Sequence, residues 1–150
     1  MTTQDRRFMH RALQLARRAF DEGEVPVGAV VTIGDAVIGE GCNAEINDCD
    51  PTAHAEIKAL RAAAAAQKNH RLPAATLYTT LEPCPMCAGA IVLARIARVV
   101  FATHDPRAGS GGSVFNLLQA TELNHRCEVE EGLYAEPSAE LLREFFRARR

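Results

Sequence analysis

The chain has no tryptophan, and aromatic residues make up only 5% of it. A core without large rings must be filled by aliphatic side chains and alanine, which the 47% hydrophobic content supplies. No apolar run reaches the roughly 18 residues of a membrane span, so none is expected. Residues Met1 to Arg7 are polar and charged, and no signal-peptide core is expected there. Neither G-x-x-x-x-G-K nor G-x-G-x-x-G occurs, which argues against a phosphate-binding loop. An excess of positive charge is missing too. The formal net charge is -2, so any nucleic-acid surface has to be a local patch. There is no internal repeat and no low-complexity stretch beyond the alanines at 62 to 66.

What is present reads as one globular domain over residues 1–150, long enough for a real core. The five cysteines are an odd number. A reducing compartment suits free or metal-bound thiols better than a disulfide framework, so a cytoplasmic location is expected.

Residues 4 to 22 carry an amphipathic helical pattern, with Phe8, Ala12, Leu13, Leu15, Ala16, Ala19 and Phe20 giving an apolar surface and Arg6, Arg7, Arg11, Arg17 and Arg18 among the polar positions. Val25 to Val31 reads as a buried strand. Gly34-Asp35 reads as a turn and Ala36 to Gly41 as the returning strand. Gly28, Gly39 and Gly41 are candidates for close backbone approaches. A helix is expected from about 53 to 66, capped by Thr52 or Asp50, its alanines allowing it to lie close to a sheet. Thr76 to Thr80 and Arg98 to Ala102 read as strands flanking a small apolar helix at about 86 to 94. Such alternation predicts an α/β layer with parallel strands and right-handed crossovers. Val114 to Leu118 reads as a short helix, Glu128 to Glu130 as an edge strand, and Pro137 or Ser138 as the start of a last helix. That helix ends in Arg143, Arg147, Arg149 and Arg150, which suits an RNA backbone or simply a helix C-terminus.

Two short segments carry the chemistry. Pro51-Thr52-Ala53-His54-Ala55-Glu56 offers a histidine with a glutamate two residues on. Glu82-Pro83-Cys84-Pro85-Met86-Cys87 offers two thiols in C-x-x-C spacing, which one helical turn can aim at one ion. One imidazole and two thiolates suit zinc, and three protein ligands leave the fourth tetrahedral position open for water, as a catalytic zinc requires. Zinc lowers the pKa of that water toward neutrality. Glu56 is then free for proton transfer instead of metal binding. Two other readings stand beside this one. The C-x-x-C could be a redox pair. The zinc site could also be structural and closed, with Cys42, Cys49, Cys127, His70, His104 or His125 as fourth ligand. Asn43 offers a donor and an acceptor that could read a base edge, or it is a turn or cap residue.

The H-x-E…P-C-x-x-C pattern is that of zinc-dependent nucleobase deaminases. With Glu24-Val25-Pro26-Val27-Gly28-Ala29-Val30, Ile38-Gly39-Glu40-Gly41, Asn43, Thr80-Leu81-Glu82, Met86-Cys87-Ala88-Gly89-Ala90, Arg98-Val99-Val100-Phe101, Asn124-His125-Arg126 and Phe145-Phe146-Arg147, the whole chain resembles the bacterial tRNA-specific adenosine deaminases. The resemblance implies a three-layer α/β/α, cytidine-deaminase-like fold with a mostly parallel mixed sheet of about five strands. It implies a homodimer that converts adenosine to inosine at the wobble position of the tRNA anticodon stem-loop. His54, Cys84 and Cys87 would hold one zinc ion per subunit, and Glu56 would shuttle protons. Asn43, Ala55 and the backbone near Cys84 would meet the purine, and Asp105 would lie over the flipped nucleotide. Glu24, Val25 and Pro26 would form pocket wall, and Asn124 would help bind the substrate backbone. Cys42, Cys49, Pro85 and Asn116 depart from the residues common at those places, where Trp, His, Val and Asp are associated with the family. Two other functions remain open: a zinc deaminase of a free base or nucleoside such as guanine, cytosine or cytidine, and a non-catalytic zinc-stabilised binding protein.

Overall fold

The computed structural model describes residues 1–149. Strands β1 (Gly28–Ile33), β2 (Ala36–Cys42), β3 (Ala75–Leu81), β4 (Arg98–Thr103) and β5 (Glu128–Glu131) form one mixed sheet in the order β2-β1-β3-β4-β5. β1 pairs antiparallel with both β2 and β3, whereas β3, β4 and β5 are mutually parallel. β1 alone therefore runs against the other four. The expected β2–helix–β3 crossover is present, but it spans β1, which lies between the two strands.

Side-chain alternation along the strands builds two cores. Ala29, Val31, Leu77 and Val99 face helices α2 (Ala55–Gln67) and α3 (Pro85–Leu93). Val30, Tyr78 and Val100 face α1 (Thr3–Asp21) on the other side. The last helix, α4 (Ala135–Arg147), joins the α1 layer, where Phe145 meets Phe20 edge-on at 5.8 Å. The result is the three-layer α/β/α arrangement expected above.

The helices sit unusually low on the sheet because both surfaces are stripped of side chains. A Cβ added at Gly39 would lie 2.4 Å from the Ala59 carbonyl oxygen, and one at Gly41 would lie 2.6 Å from that of Ala55. Ala55, Ala59 and Ala63 complete the contact from the helix side, all fully buried. Gly28 plays the same part against α1, 2.0 Å from the Ala12 oxygen by the same construction.

Several helix starts differ from expectation. α2 is entered through His54 itself, with extended backbone at φ -78° and ψ 153°. Asp50 caps nothing there; its Oδ1 accepts from the Thr52 amide and hydroxyl instead. α4 begins at Ala135, before Pro137 and Ser138. Pro137 falls in the first turn, where a missing N–H removes no intrahelical bond. The expected helix at 114 to 118 is a 3₁₀ turn at Leu117–Gln119.

The sheet and the α1 layer are tied together by a buried ion pair between residues far apart in sequence. Asp5 is 3% exposed, and its carboxylate accepts from both terminal nitrogens of Arg98 at 2.8 and 3.0 Å. Tyr78 Oη donates to it at 2.6 Å, and Asp5 also closes a capping box with Thr2. The Arg98 guanidinium holds the Asp5 carboxyl well below the usual carboxylate range; burial opposes this, and the Tyr78 hydroxyl reinforces it. An unfolded aspartate titrates near 3.9, at about that pH. The stabilisation is therefore complete above about pH 4 and is lost as pH falls toward the folded value. Asp5→Ala should cost about 3 kcal/mol in urea unfolding at neutral pH, since it strands a partly buried guanidinium. The variant should also show a shallower loss of stability than the parent below pH 4, about the unfolded value.

Candidate active site

The site lies at the carboxyl ends of β2 and β3, where the N-termini of α2 and α3 converge. Both helices start in the same way. His54 and Cys84 are N-cap residues with extended backbone, and neither uses its side chain as a cap. Their side chains are thus left to meet each other, Cys84 Sγ against His54 Nδ1. Glu56 is the second residue of α2, and Cys87 is the third of α3, behind Pro85 at the favoured first position. A histidine and a glutamate two residues apart cannot share a helix face. They meet one site here because His54 stands just outside the helix.

Nδ1 of His54 lies 3.5 Å from the sulfurs of both Cys84 and Cys87. The three donor atoms all fall within 4.8 Å of one another. Zinc–sulfur bonds of about 2.3 Å and zinc–nitrogen bonds of about 2.0–2.1 Å at a tetrahedral angle require a sulfur–nitrogen separation of about 3.5 Å. The donor set and its spacing fit zinc. Among the described residues no fourth histidine, cysteine or acid joins the cluster. His125 bonds the Ile96 carbonyl, His104 lies against Glu82 and Ser113, and Cys127 is in the core. Cys49 is exposed in a left-handed backbone conformation, φ 49°. Cys42 lines a separate cavity of about 340 Å³ together with Arg11, Arg18 and Lys58.

The three side chains perturb one another strongly. The Cys87 thiol, donating to Cys84, pulls Cys84 down to about 4, and the His54 ring adds to this. The same contact, together with burial, pushes Cys87 far up. The Cys84 sulfur raises His54 to about 9. Two thiols in contact do not both ionise without a counter-charge, and a divalent cation would displace the protons that they share. Glu56 is 4% exposed and is pushed up to about 7, chiefly by burial, with the Cys84 charge adding to the effect. Its carboxyl meets its own free amide and the Cys87 thiol.

The loop after β4 is organised by Glu82, a residue to which the sequence pattern assigns no role. Glu82 is 1% exposed. Its carboxylate accepts from the amides of Asp105, Gly111 and Ser113 at 2.9, 2.9 and 3.0 Å, and from the Ser113 hydroxyl at 2.6 Å. Burial alone would raise its pKa, but the Ser113 hydroxyl and these three amides outweigh it and hold the group below its ordinary value. Gly109 is obligatory, since a Cβ there would lie 2.3 Å from the Glu82 carboxyl carbon. The glycine richness of 109–112 was the visible signal; its buried partner lies over twenty residues earlier.

The other expected site residues divide. Asn43 Oδ1 accepts from the Ala55 amide at 2.8 Å, so these two are coupled at the start of α2. Val25 and Asp105 line a groove of about 1070 Å³ with Leu81, Arg107, Phe146 and Arg147. His54, Cys84 and Cys87 are not among its lining residues. Asp105 uses its own carboxylate to accept from the Arg107 amide at 2.9 Å. Pro26 is buried. Glu24 does not offer its carboxylate to a pocket: it is 2% exposed and accepts from the Ile46 and Asn47 amides and from Asn47 Nδ2. Asn124 is not brought to the cluster within this chain. It adjoins His125, which bonds Ile96 just before β4, at the opposite end of the sheet. The basic end of α4 is partly neutralised, because Arg143 pairs with Glu136 and Glu140, and Arg147 with Glu140. Arg149 lies over the Phe145 ring at 3.5 Å. Arg150 lies outside the described residues.

The fold and donor set define a deaminase, and the family model for MafB19-like deaminases matches residues 3–150. The chain is 49% identical over 148 residues to the tRNA-specific adenosine deaminase of Haemophilus influenzae, covering 97% of this chain and 85% of that protein. It is 44% identical over 145 residues to the protein of the same description from Bacillus subtilis, covering 97% and 90%. Among solved structures, one from studies of A-to-I editing by tRNA:A34 deaminases at the wobble position superposes with a TM-score of 0.88 at 43% identity, over 91% of this chain and 99% of that one. The chain belongs to the bacterial tRNA-specific adenosine deaminase family.

If Glu82 holds the loop in place, Glu82→Gln should loosen it selectively, because the amide sets an NH₂ group against N–H donors. Each lost buried bond is worth about 1–3 kcal/mol. Amide hydrogen exchange across 104–113 should therefore accelerate by about tenfold or more, with the amides of β1 and β3 unchanged.

Proposed function

We propose that residues 1–150 act as a single zinc-dependent domain that deaminates adenosine to inosine at the wobble position of the tRNA anticodon. The observation that carries this reading is a three-donor cluster one ligand short of tetrahedral, with a buried carboxyl against it. A closed structural site would need a fourth protein donor and would have no use for Glu56.

His54, Cys84 and Cys87 would hold one zinc ion per subunit. Bound there, zinc supplies the Lewis acidity that brings the pKa of a water toward neutrality. Glu56 takes a proton from the attacking water on a carboxylate oxygen and passes it to the purine ring nitrogen. It then carries the second proton to the exocyclic amine, which departs as ammonia. A carboxyl buried at the positive end of α2 and raised toward neutrality can hold and release a proton near physiological pH.

Asn43 is fixed through Oδ1 by the Ala55 amide, leaving Nδ2 to donate to a purine acceptor. Val25, Pro26 and Asp105 wall the approach, and Glu24 acts from behind them by pinning the adjoining loop. Arg107, Arg143, Arg147 and Arg149 along the groove support contacts to an RNA backbone. A base in an anticodon loop leaves its stack at lower cost than one in a duplex. Exposed apolar side chains on α3, Leu93 at 72% and Met86 at 37%, support a homodimer. Asn124, remote from the cluster in its own subunit, would then serve a substrate that crosses the pair. Among the described residues no helix is long and apolar enough to cross a membrane. The free thiols favour the cytoplasm as the place of action.

The test is to incubate zinc-loaded protein with total tRNA and, separately, with adenosine, cytidine, cytosine and guanine, reading the products by nucleoside mass spectrometry. Inosine should appear in tRNA alone, and Glu56→Ala should reduce it at least about a hundredfold. Ammonia from a free base, with tRNA untouched, would move the substrate to a small molecule and leave the metal centre standing.

A further inference from the structure

His54 presents Nδ1 to the two sulfurs, and its other nitrogen faces away from them. Nε2 lies 3.6 Å from Glu45 Oε2, and Glu45 is the one carboxylate paired with His54 among the described residues. A neutral imidazole carries one N–H, so a metal on Nδ1 places that hydrogen on Nε2. Histidine ligands usually give this hydrogen to a carboxylate, a carbonyl or water, which sets the tautomer and raises the basicity of the ligating nitrogen.

Glu45 is supplied by a loop that is itself firmly held. The next two amides, of Ile46 and Asn47, donate to the buried Glu24 carboxylate at 3.2 and 2.8 Å. The Glu45 carbonyl accepts from the Asp50 amide at 3.0 Å, and the Ala44 amide donates to the Ala53 carbonyl at 3.0 Å. The loop is thus clamped to α1's C-terminal side through Glu24 and to the entry of α2 through Ala53. Between those clamps the Glu45 side chain, 40% exposed, brings its carboxylate to the Nε2 side of the ring. Closing the present gap to a charge-assisted hydrogen bond takes a shift of under about 1 Å.

We propose that Glu45 is the positioning residue of the metal centre, accepting a hydrogen bond from His54 Nε2–H and so committing Nδ1 to the ion. The inference rests on the zinc reading above. Glu24 then acts one step further out, by holding the loop that presents Glu45. This role is invisible in the motif, because Glu45 stands nine residues before His54 with no spacing pattern to connect them.

The test is zinc affinity, measured by competition with a chromophoric chelator at neutral pH, for the parent protein, Glu45→Ala, Glu45→Gln and Asp48→Ala. Thermal unfolding of each zinc-free protein checks that the fold is unchanged. Glu45→Ala should bind zinc at least about tenfold more weakly. Glu45→Gln keeps an acceptor oxygen without the charge and should fall between. Asp48 lies on the same loop but pairs with Lys58, so Asp48→Ala should match the parent. Glu45→Ala within about twofold of the parent, or Asp48→Ala as weak as Glu45→Ala, would overturn the role. A parent protein that takes up no zinc would overturn the zinc reading itself and this inference with it.

Discussion

Everything at the site depends on how closely α2 can lie against β2 and β1. The backbone of β2 meets that of α2 through Gly39 and Gly41 on one side and Ala55, Ala59 and Ala63 on the other. This contact leaves no room for a side chain, so the height of the helix is set by backbone against backbone. Its N-terminus, and with it His54 and Glu56, is placed with the precision of the sheet. α3 is placed in turn by Pro85 at its start and by Ile91 and Ala88 in the same core. A metal centre tolerates errors of about half an ångström in its supporting shell. A small-residue seam is a direct way to meet that tolerance, since it has no rotamers to choose among.

The convergence of His54, Cys84 and Cys87 was legible in sequence because each half of the cluster is local. His-Ala-Glu and Cys-x-x-Cys each span one helix start, where spacing and direction are tightly linked. Strand order was only partly legible. The hairpin β1–β2 follows from Gly34-Asp35, but nothing local says that β1 would also pair with β3 and sit inside the crossover. Helix starts were the weakest point. Thr52 and Asp50 have good capping chemistry, but they bond each other, and His54 takes the N-cap position without capping. Pro137 likewise reads as a boundary, although the helix begins two residues before it.

Long-range polar pairs could not be read at all. Asp5 and Arg98 are separated by 93 residues, and Glu82 finds its partners between 23 and 31 residues downstream. Glu24 shows the difficulty most clearly. The family resemblance implied a pocket-wall position for it, but its carboxylate turns inward to hold a loop. The arginines of α4 are a milder case. As letters they form the most basic stretch of the chain, whereas in three dimensions Glu136 and Glu140, two turns and one turn before Arg143, share them.

The four hydrogen bonds gathered by the Glu82 carboxylate have a consequence for selectivity. A loop whose amides converge on one buried anion has already given up its conformational freedom during folding. A ligand that meets it incurs little further ordering entropy. The groove wall carrying Asp105 is thus a preformed mould and not a lid. On the proposed reading, a nucleotide would have to arrive already turned out of its stack, and RNAs would be sorted by how readily their loops adopt that shape.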